Sequence, residues 1–170
     1  MIEIKNVSKK FGKLEVLKNV SVSCKSGQCI ALIGPNGCGK TTLIKSILGM
    51  VLPDEGSMEF NQKSIFGDYS YREKIGYMPQ IGRYPDTMTI GEIIEMVKKI
   101  RNSKNNLDED LFRDFEIEKM LNKQMRTLSG GTTQKISAVL AFLFNPDVLI
   151  LDEPTAGLDP LASELLKEKI

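Results

Sequence analysis

The sequence has no histidine, no tryptophan and only three cysteines among its 170 residues. Cys24, Cys29 and Cys38 show no C-x-x-C spacing. With histidine also absent, neither a zinc centre nor a disulfide framework is expected, and a reducing cytoplasm fits. There is no excess of charge of either sign: 23 basic residues against 22 acidic ones leave +1. Long-range attraction to nucleic acid or to anionic lipid is therefore not indicated, and no nucleic-acid partner is expected. No apolar run approaches the roughly 18 residues that a membrane span requires. Internal repeats and low-complexity tracts are lacking as well. Met1 leads directly into Ile2-Glu3-Ile4-Lys5, which alternates like a strand and is unlike a secretory leader. What remains is an ordinary chain, 41% hydrophobic, long enough for one domain with a sizeable core.

One stretch is not ordinary. Gly34-Pro35-Asn36-Gly37-Cys38-Gly39-Lys40-Thr41 fits the pattern G-x-x-x-x-G-K-[ST]. Successive backbone N–H groups of such a loop turn inward around phosphate oxygens, and glycines permit the positive φ and close approach this requires. The following helix aims its positive end at the same anion. Lys40 adds a full charge at the β- and γ-phosphates, and the Thr41 hydroxyl suits Mg²⁺. The context agrees. Cys29 to Ile33 is continuously apolar, as expected of a buried strand. Beyond the loop, Leu43, Ile44, Ile47 and Leu48 recur at helical spacing before a stop at Gly49.

Elsewhere the pattern predicts short strands through residues 1–33, with Val20, Val22 and Cys24 alternating against Ser21 and Ser23. Asp54-Glu55-Gly56 and Phe66-Gly67-Asp68 read as turns. Thr89-Ile90-Gly91-Glu92 fits a capping box, opening a helix with Ile90, Ile94 and Val97 on one face. Asn102 to Asn106 reads as a polar loop, and residues 107–122 as helix. A helical insertion over about 86–144 thus separates two strand-rich halves, and the sheet resumes at Val148-Leu149-Ile150-Leu151.

That last strand ends in Asp152-Glu153. At the carboxyl end of a parallel strand an aspartate holds the Mg²⁺ that bridges nucleotide phosphates, and a neighbouring glutamate polarises a water for in-line attack. A solvated acidic turn is the plainer alternative, and the phosphate loop upstream favours the metal and base. Leu128-Ser129-Gly130-Gly131 opens a helix at Ser129, a good N-cap, with Ile136, Val139, Leu140, Leu143 and Phe144 as its apolar stripe. Two glycines in a first helical turn each cost about 1 kcal/mol against alanine. A phosphate pressed on exposed N–H groups accounts for them. Since the first loop is already a complete phosphate site, this second one suggests completion by another subunit.

Taken in order, these motifs resemble the nucleotide-binding domain of ATP-binding cassette (ABC) proteins, over the whole of Met1 to Ile170. Gly34–Thr41 resembles their Walker A motif, Val148–Glu153 their Walker B, and Leu128–Thr132 their signature. Gln80 matches the Q-loop glutamine and Ala156-Gly157-Leu158-Asp159 the D-loop. Phe11 stands where the family places an aromatic that stacks on adenine, although a core role for it is equally open.

The resemblance implies an α/β P-loop NTPase fold with a mainly parallel core sheet, an N-terminal antiparallel β subdomain and an inserted helical subdomain. It implies ATP and Mg²⁺ as cofactors. Phe11, Gly34, Asn36, Gly37, Cys38, Gly39, Lys40, Thr41 and Thr42 then contact the nucleotide from one chain. Ser129, Gly131 and Thr132 contact it from a second cassette, identical or not. Thr41, Gln80 and Asp152 serve the metal, while Glu153, Lys40 and Gln80 serve hydrolysis. Gln80 and the helical subdomain face a membrane permease, which places the chain in the cytoplasm, peripheral to the inner face of the membrane. A soluble ABC ATPase and a binding-only fragment are the alternatives. Within the family the run Ile81–Pro85 and Leu143–Pro146 look most like cassettes of nitrous-oxide reductase maturation.

Two departures stand out. Thr132 and Thr133 replace the glutamine and basic residue usual at the end of the signature, and Thr132 keeps a hydroxyl to donate. The family's switch histidine, on a strand beyond the D-loop, has no counterpart in this sequence. A cassette truncated in its catalytic domain is therefore expected, binding nucleotide but hydrolysing it slowly.

Overall fold

The computed structural model describes residues 1–102 and 106–170, in two compact units, 1–72 and 73–170. The expected polar loop at 102–106 lies partly outside the described residues.

In the first unit, β1 (Ile2–Phe11), β2 (Leu14–Cys24), β3 (Glu55–Phe60) and β4 (Lys63–Ser64) form an antiparallel sheet ordered β2-β1-β3-β4. The register pairs Ile4 with Val22 on one side and with Met58 on the other, so the inward residues Ile2, Ile4, Val7, Met58 and Phe60 share a buried face. Val20, Val22 and Cys24 are half-buried and Ser21 and Ser23 exposed, the alternation the sequence predicts. α1 (Lys40–Ile47) buries Leu43 and Ile44, with Leu48 just behind them. Gly49 follows at φ +65°, the left-handed stop expected there.

Two expectations fail here. Asp54-Glu55-Gly56 is not a turn: β3 starts at Glu55, and Asp54 accepts from Lys9 Nζ and the Lys10 N–H, both at 2.7 Å, stitching the strand's start to β1. Cys29–Ile33 is not a buried strand either. Ile33 is 90% exposed, and no strand pairs with the segment among the described residues. A turn at 25–28, closed by the Lys25 N–H on Gln28 Oε1 at 2.8 Å, precedes it as β2 ends at Cys24. Apolar composition signals what a segment would bury, whereas a strand also requires a ladder partner.

The second unit carries a parallel pair, β5 (Ile75–Met78) and β6 (Val148–Leu151), in register from Ile75 with Val148 to Met78 with Leu151. Gly76 lies so close to the Ala141 carbonyl that a Cβ there would collide with it. Around the pair stand α2 (Ile90–Ile100), α3 (Asp110–Asp114), α4 (Gly130–Phe142) and α5 (Pro160–Lys169). The capping box of α2 is formed on both sides: Thr89 Oγ1 accepts the Glu92 N–H, and Glu92 accepts the Thr89 N–H at 2.8 Å. Residues 107–122 hold only α3 and a 3₁₀ turn, Ile117–Met120, instead of one helix; Glu116, at φ +52°, breaks the run. α4 buries more than a stripe. Gln134, Ile136, Ser137, Ala138, Val139, Ala141 and Phe142 are all buried, while Leu140 and Phe144 are half-buried. Helix residues packed against it on several sides leave no polar face to read as periodicity.

Candidate functional site

The phosphate loop is built by the backbone of the first unit. Gly37 and Gly39 take φ +80° and +101°, values that side chains resist. Gly39 has a second reason to be glycine, because a Cβ would lie 2.7 Å from the Val16 carbonyl of β2. It caps α1 without a side-chain bond, and no acid sits in the first turn. The N-terminal amides of that helix therefore face no competing carboxylate of their own. Lys40 Nζ folds back into the loop and donates to the carbonyls of Gly34 at 2.6 Å and Pro35 at 3.0 Å. Cys38 Sγ lies over Gly34, 4.0 Å from the same ammonium. Asn36, Cys38 and Thr41 are exposed and Thr42 half-buried. Phe11 is 50% exposed, with Lys9 Nζ over its ring at 5.5 Å from the centroid, so the side chain is not part of the buried core.

In the second unit β5 and β6 bring Gln80 and the paired acids together. Asp152 donates its N–H to the Met78 carbonyl at 2.9 Å, extending the ladder by one residue. Gln80 Nε2 then donates to Glu153 Oε2 at 2.7 Å. Glu153 holds φ +51°, a left-handed conformation costing a non-glycine residue on the order of 1 kcal/mol, and such strain gathers at working sites. The sequence predicts roles for both residues; their direct bond is new.

Ser129 caps α4 as expected, its Oγ accepting the Thr132 N–H at 3.2 Å and lying 2.9 Å from Thr132 Oγ1. The two glycines part company. A Cβ on Gly131 would stand 2.6 Å from the Gly157 carbonyl, so the D-loop backbone alone requires that glycine. Gly130 meets nothing within 4 Å. Gly131 is thus accounted for without a phosphate, a correction to the reading of both.

Lys135 and Tyr84 were not singled out by the sequence. Lys135 Nζ sits 2.6 Å from Asp159 Oδ2, while Asp159 Oδ1 caps α5 by accepting the Ala162 N–H at 2.9 Å. The lysine first, and then that N–H, hold the Asp159 carboxyl below its usual range. Tyr84 reaches Ser137 of α4 at 2.9 Å. An i, i+4 alternation of threonine and serine on α4 was the available signal for the second contact.

Comparison with known proteins gives the family and the fold. The model of the ABC transporter family matches residues 17–156. The Nod factor export ATP-binding protein I of Ralstonia nicotianae is 31% identical, over all of this chain and 54% of its own. The ABC transporter ATP-binding protein YhaQ of Bacillus subtilis is 34% identical, over all of this chain and 58% of its own. The chain thus spans about half the length of the curated relatives it matches. Among solved structures, the ATP-binding subunit of an ABC transporter superposes with TM-score 0.90 at 33% identity, covering 99% of this chain and 72% of that one. A dimeric, post-hydrolysis ATP-binding cassette bound to ADP and Pi superposes with TM-score 0.86 at 26% identity, covering 99% and 80%. These neighbours share the P-loop NTPase fold. The resemblance to nitrous-oxide reductase cassettes gains no support from them.

Proposed function

The chain belongs to the ABC transporter family, and from that premise we propose that it binds and hydrolyses ATP to power a membrane transporter through ATP-driven pairing of two cassettes. The observation that carries the reading is the phosphate loop: glycine-shaped backbone, an uncapped helix start and Lys40 folded inside. Charge-assisted bonds from Lys40 to phosphate replace those it makes to carbonyls, and the α1 amides take further oxygens. Phe11 offers its ring to the base. Ser129, Gly131 and Thr132 are proposed to meet the triphosphate of an opposite cassette; that a neighbour of this fold is a dimeric cassette bound to ADP and Pi supports pairing as such.

Magnesium fits the donors. Among the described residues no group of three or more acids or cysteines forms a protein cage. Mg²⁺ characteristically uses one or two carboxylates beside phosphate oxygens and waters. In the second unit Asp152 would supply a carboxylate and Gln80 its amide oxygen, the Nε2 of the same amide being held by Glu153; in the first unit Thr41 would offer its hydroxyl. The bound metal neutralises phosphate charge. Glu153 is the base: Gln80 holds one carboxylate oxygen, leaving the other to accept a proton from water. A helical subdomain at about 86–144, continuous in sequence with Gln80, is proposed to face a membrane permease.

Phosphate release at saturating Mg-ATP tests the reading. Glu153→Gln is expected to lose about 10²-fold or more of the rate while still binding ATP. Equal rates in a folded Glu153→Gln chain would remove Glu153 from the reaction.

A further inference from the structure

α4 carries a run of hydroxyls spaced four residues apart, and the structure gives it a direction. Ser137 Oγ donates to the Thr133 carbonyl at 3.1 Å, which uses its single proton. The arrangement that satisfies both contacts has Tyr84 Oη donating across the 2.9 Å to Ser137 Oγ, with the serine proton on the Thr133 carbonyl. Thr133 Oγ1 donates in turn to the Ser129 carbonyl at 3.2 Å, beside the backbone bond from the Thr133 N–H to the same oxygen at 3.0 Å. Ser129, the N-cap, accepts the Thr132 N–H. A continuous path thus runs from Tyr84 through Ser137 and Thr133 to the signature serine.

Its far end begins four residues after Gln80. Gly82 presses its backbone against α4, where a Cβ would collide with Ser137 Oγ. Ser137 is buried, and Tyr84 is half-buried against the core. Burial raises the tyrosine's pKa, so its O–H remains a donor at neutral pH. A basic side chain at position 133 has no hydroxyl to return to Ser129, so the link depends on the threonine this sequence carries.

We propose that Tyr84 is a positioning residue for Ser129, fixing the start of α4 to the segment after Gln80 through Ser137 and Thr133. Its value for nucleotide rests on the reading of Ser129 given above; the link itself does not. Helix starts fray, and hydroxyl bonds back to the i−4 carbonyl on their own weaken a helix slightly; here they tie its first turn to a tyrosine outside it.

Hydrogen exchange in the full, nucleotide-free chain separates positioning from packing. Tyr84→Phe keeps the ring and removes only the donor. The Thr132 and Thr133 amides are expected to exchange roughly five- to tenfold faster, the worth of about one hydrogen bond, with Val139 to Leu143 unchanged. Ser137→Ala should give the same local effect, and the double variant should exceed neither single one, because both cut one path. Thr133→Val, at a half-buried position, provides the same test should Ser137→Ala fail to fold. Unchanged exchange at 132–133 in folded Tyr84→Phe overturns the proposal, as do single effects that multiply in the double variant. Sedimentation with Mg-ATP adds a second readout. Where the parent chain pairs, Tyr84→Phe should need about five- to tenfold more nucleotide to do so. A parent that never binds Mg-ATP, with the exchange result intact, refutes the nucleotide reading and leaves the link standing.

Discussion

Among the described residues Lys40 donates only within its own loop, to two main-chain carbonyls, so it joins no distant elements, and the proposed function gives its charge to the loop's ligand. Lys40→Ala is predicted to weaken Mg-ATP binding about 10- to 100-fold, the worth of one charge-assisted bond of about 1.5–3 kcal/mol. Calorimetric titration checks the affinity, and a melting curve matching the parent's checks the fold. Cys38 offers a second probe of the same loop. It and Cys29 are exposed and Cys24 is half-buried, so a maleimide should label the first two. Mg-ATP should protect Cys38 alone, since only that thiol lies over Gly34 and near Lys40. Peptide mapping that finds Cys38 labelled equally with and without ATP would contradict the placement of phosphate.

At the scale of elements, the start of α4 makes opposite predictions for two adjacent glycines. Gly131→Ala drives a Cβ against the Gly157 carbonyl and is expected to cost about 1–3 kcal/mol, read as a lower urea midpoint. Gly130→Ala meets open space and should gain up to about 1 kcal/mol from helix propensity. The cap of α5 responds to pH. The folded-state pKa of Asp159 is depressed, so its contribution is present above the ordinary carboxylate value, about pH 4, and is lost as pH falls through the lower folded value. Asp159→Asn keeps an N-cap and loses the pair with Lys135. Its melting temperature should lie below the parent's at about pH 6, and the gap should narrow as the pH is lowered from about 4 through the depressed folded value. These elements also mark how far sequence reasoning reached. Caps were legible at Thr89 and Ser129, because a cap is a local bond between residues three apart. The strand at Cys29–Ile33 was misread, because pairing is a property of two segments and composition describes one. The need for Gly131 was hidden for the same reason: Gly157 approaches it from 26 positions downstream.

The whole molecule divides its chemistry between two units, the phosphate loop and Phe11 in residues 1–72 and Gln80, Asp152, Glu153 and the signature in residues 73–170. The motifs were legible because each is contiguous; the bond between Gln80 and Glu153, 73 positions apart, was not. The central claim is that ATP joins two such chains, each signature completing the other's nucleotide site. Removing the base should trap that state, since binding persists while the γ-phosphate stays in place. Sedimentation velocity of Glu153→Gln is the most direct measurement. The account predicts a monomer without nucleotide, a dimer with Mg-ATP, and a monomer again when Mg-ADP is supplied or when Lys40→Ala is added. A chain that binds Mg-ATP in calorimetry yet sediments as a monomer at saturation would contradict it.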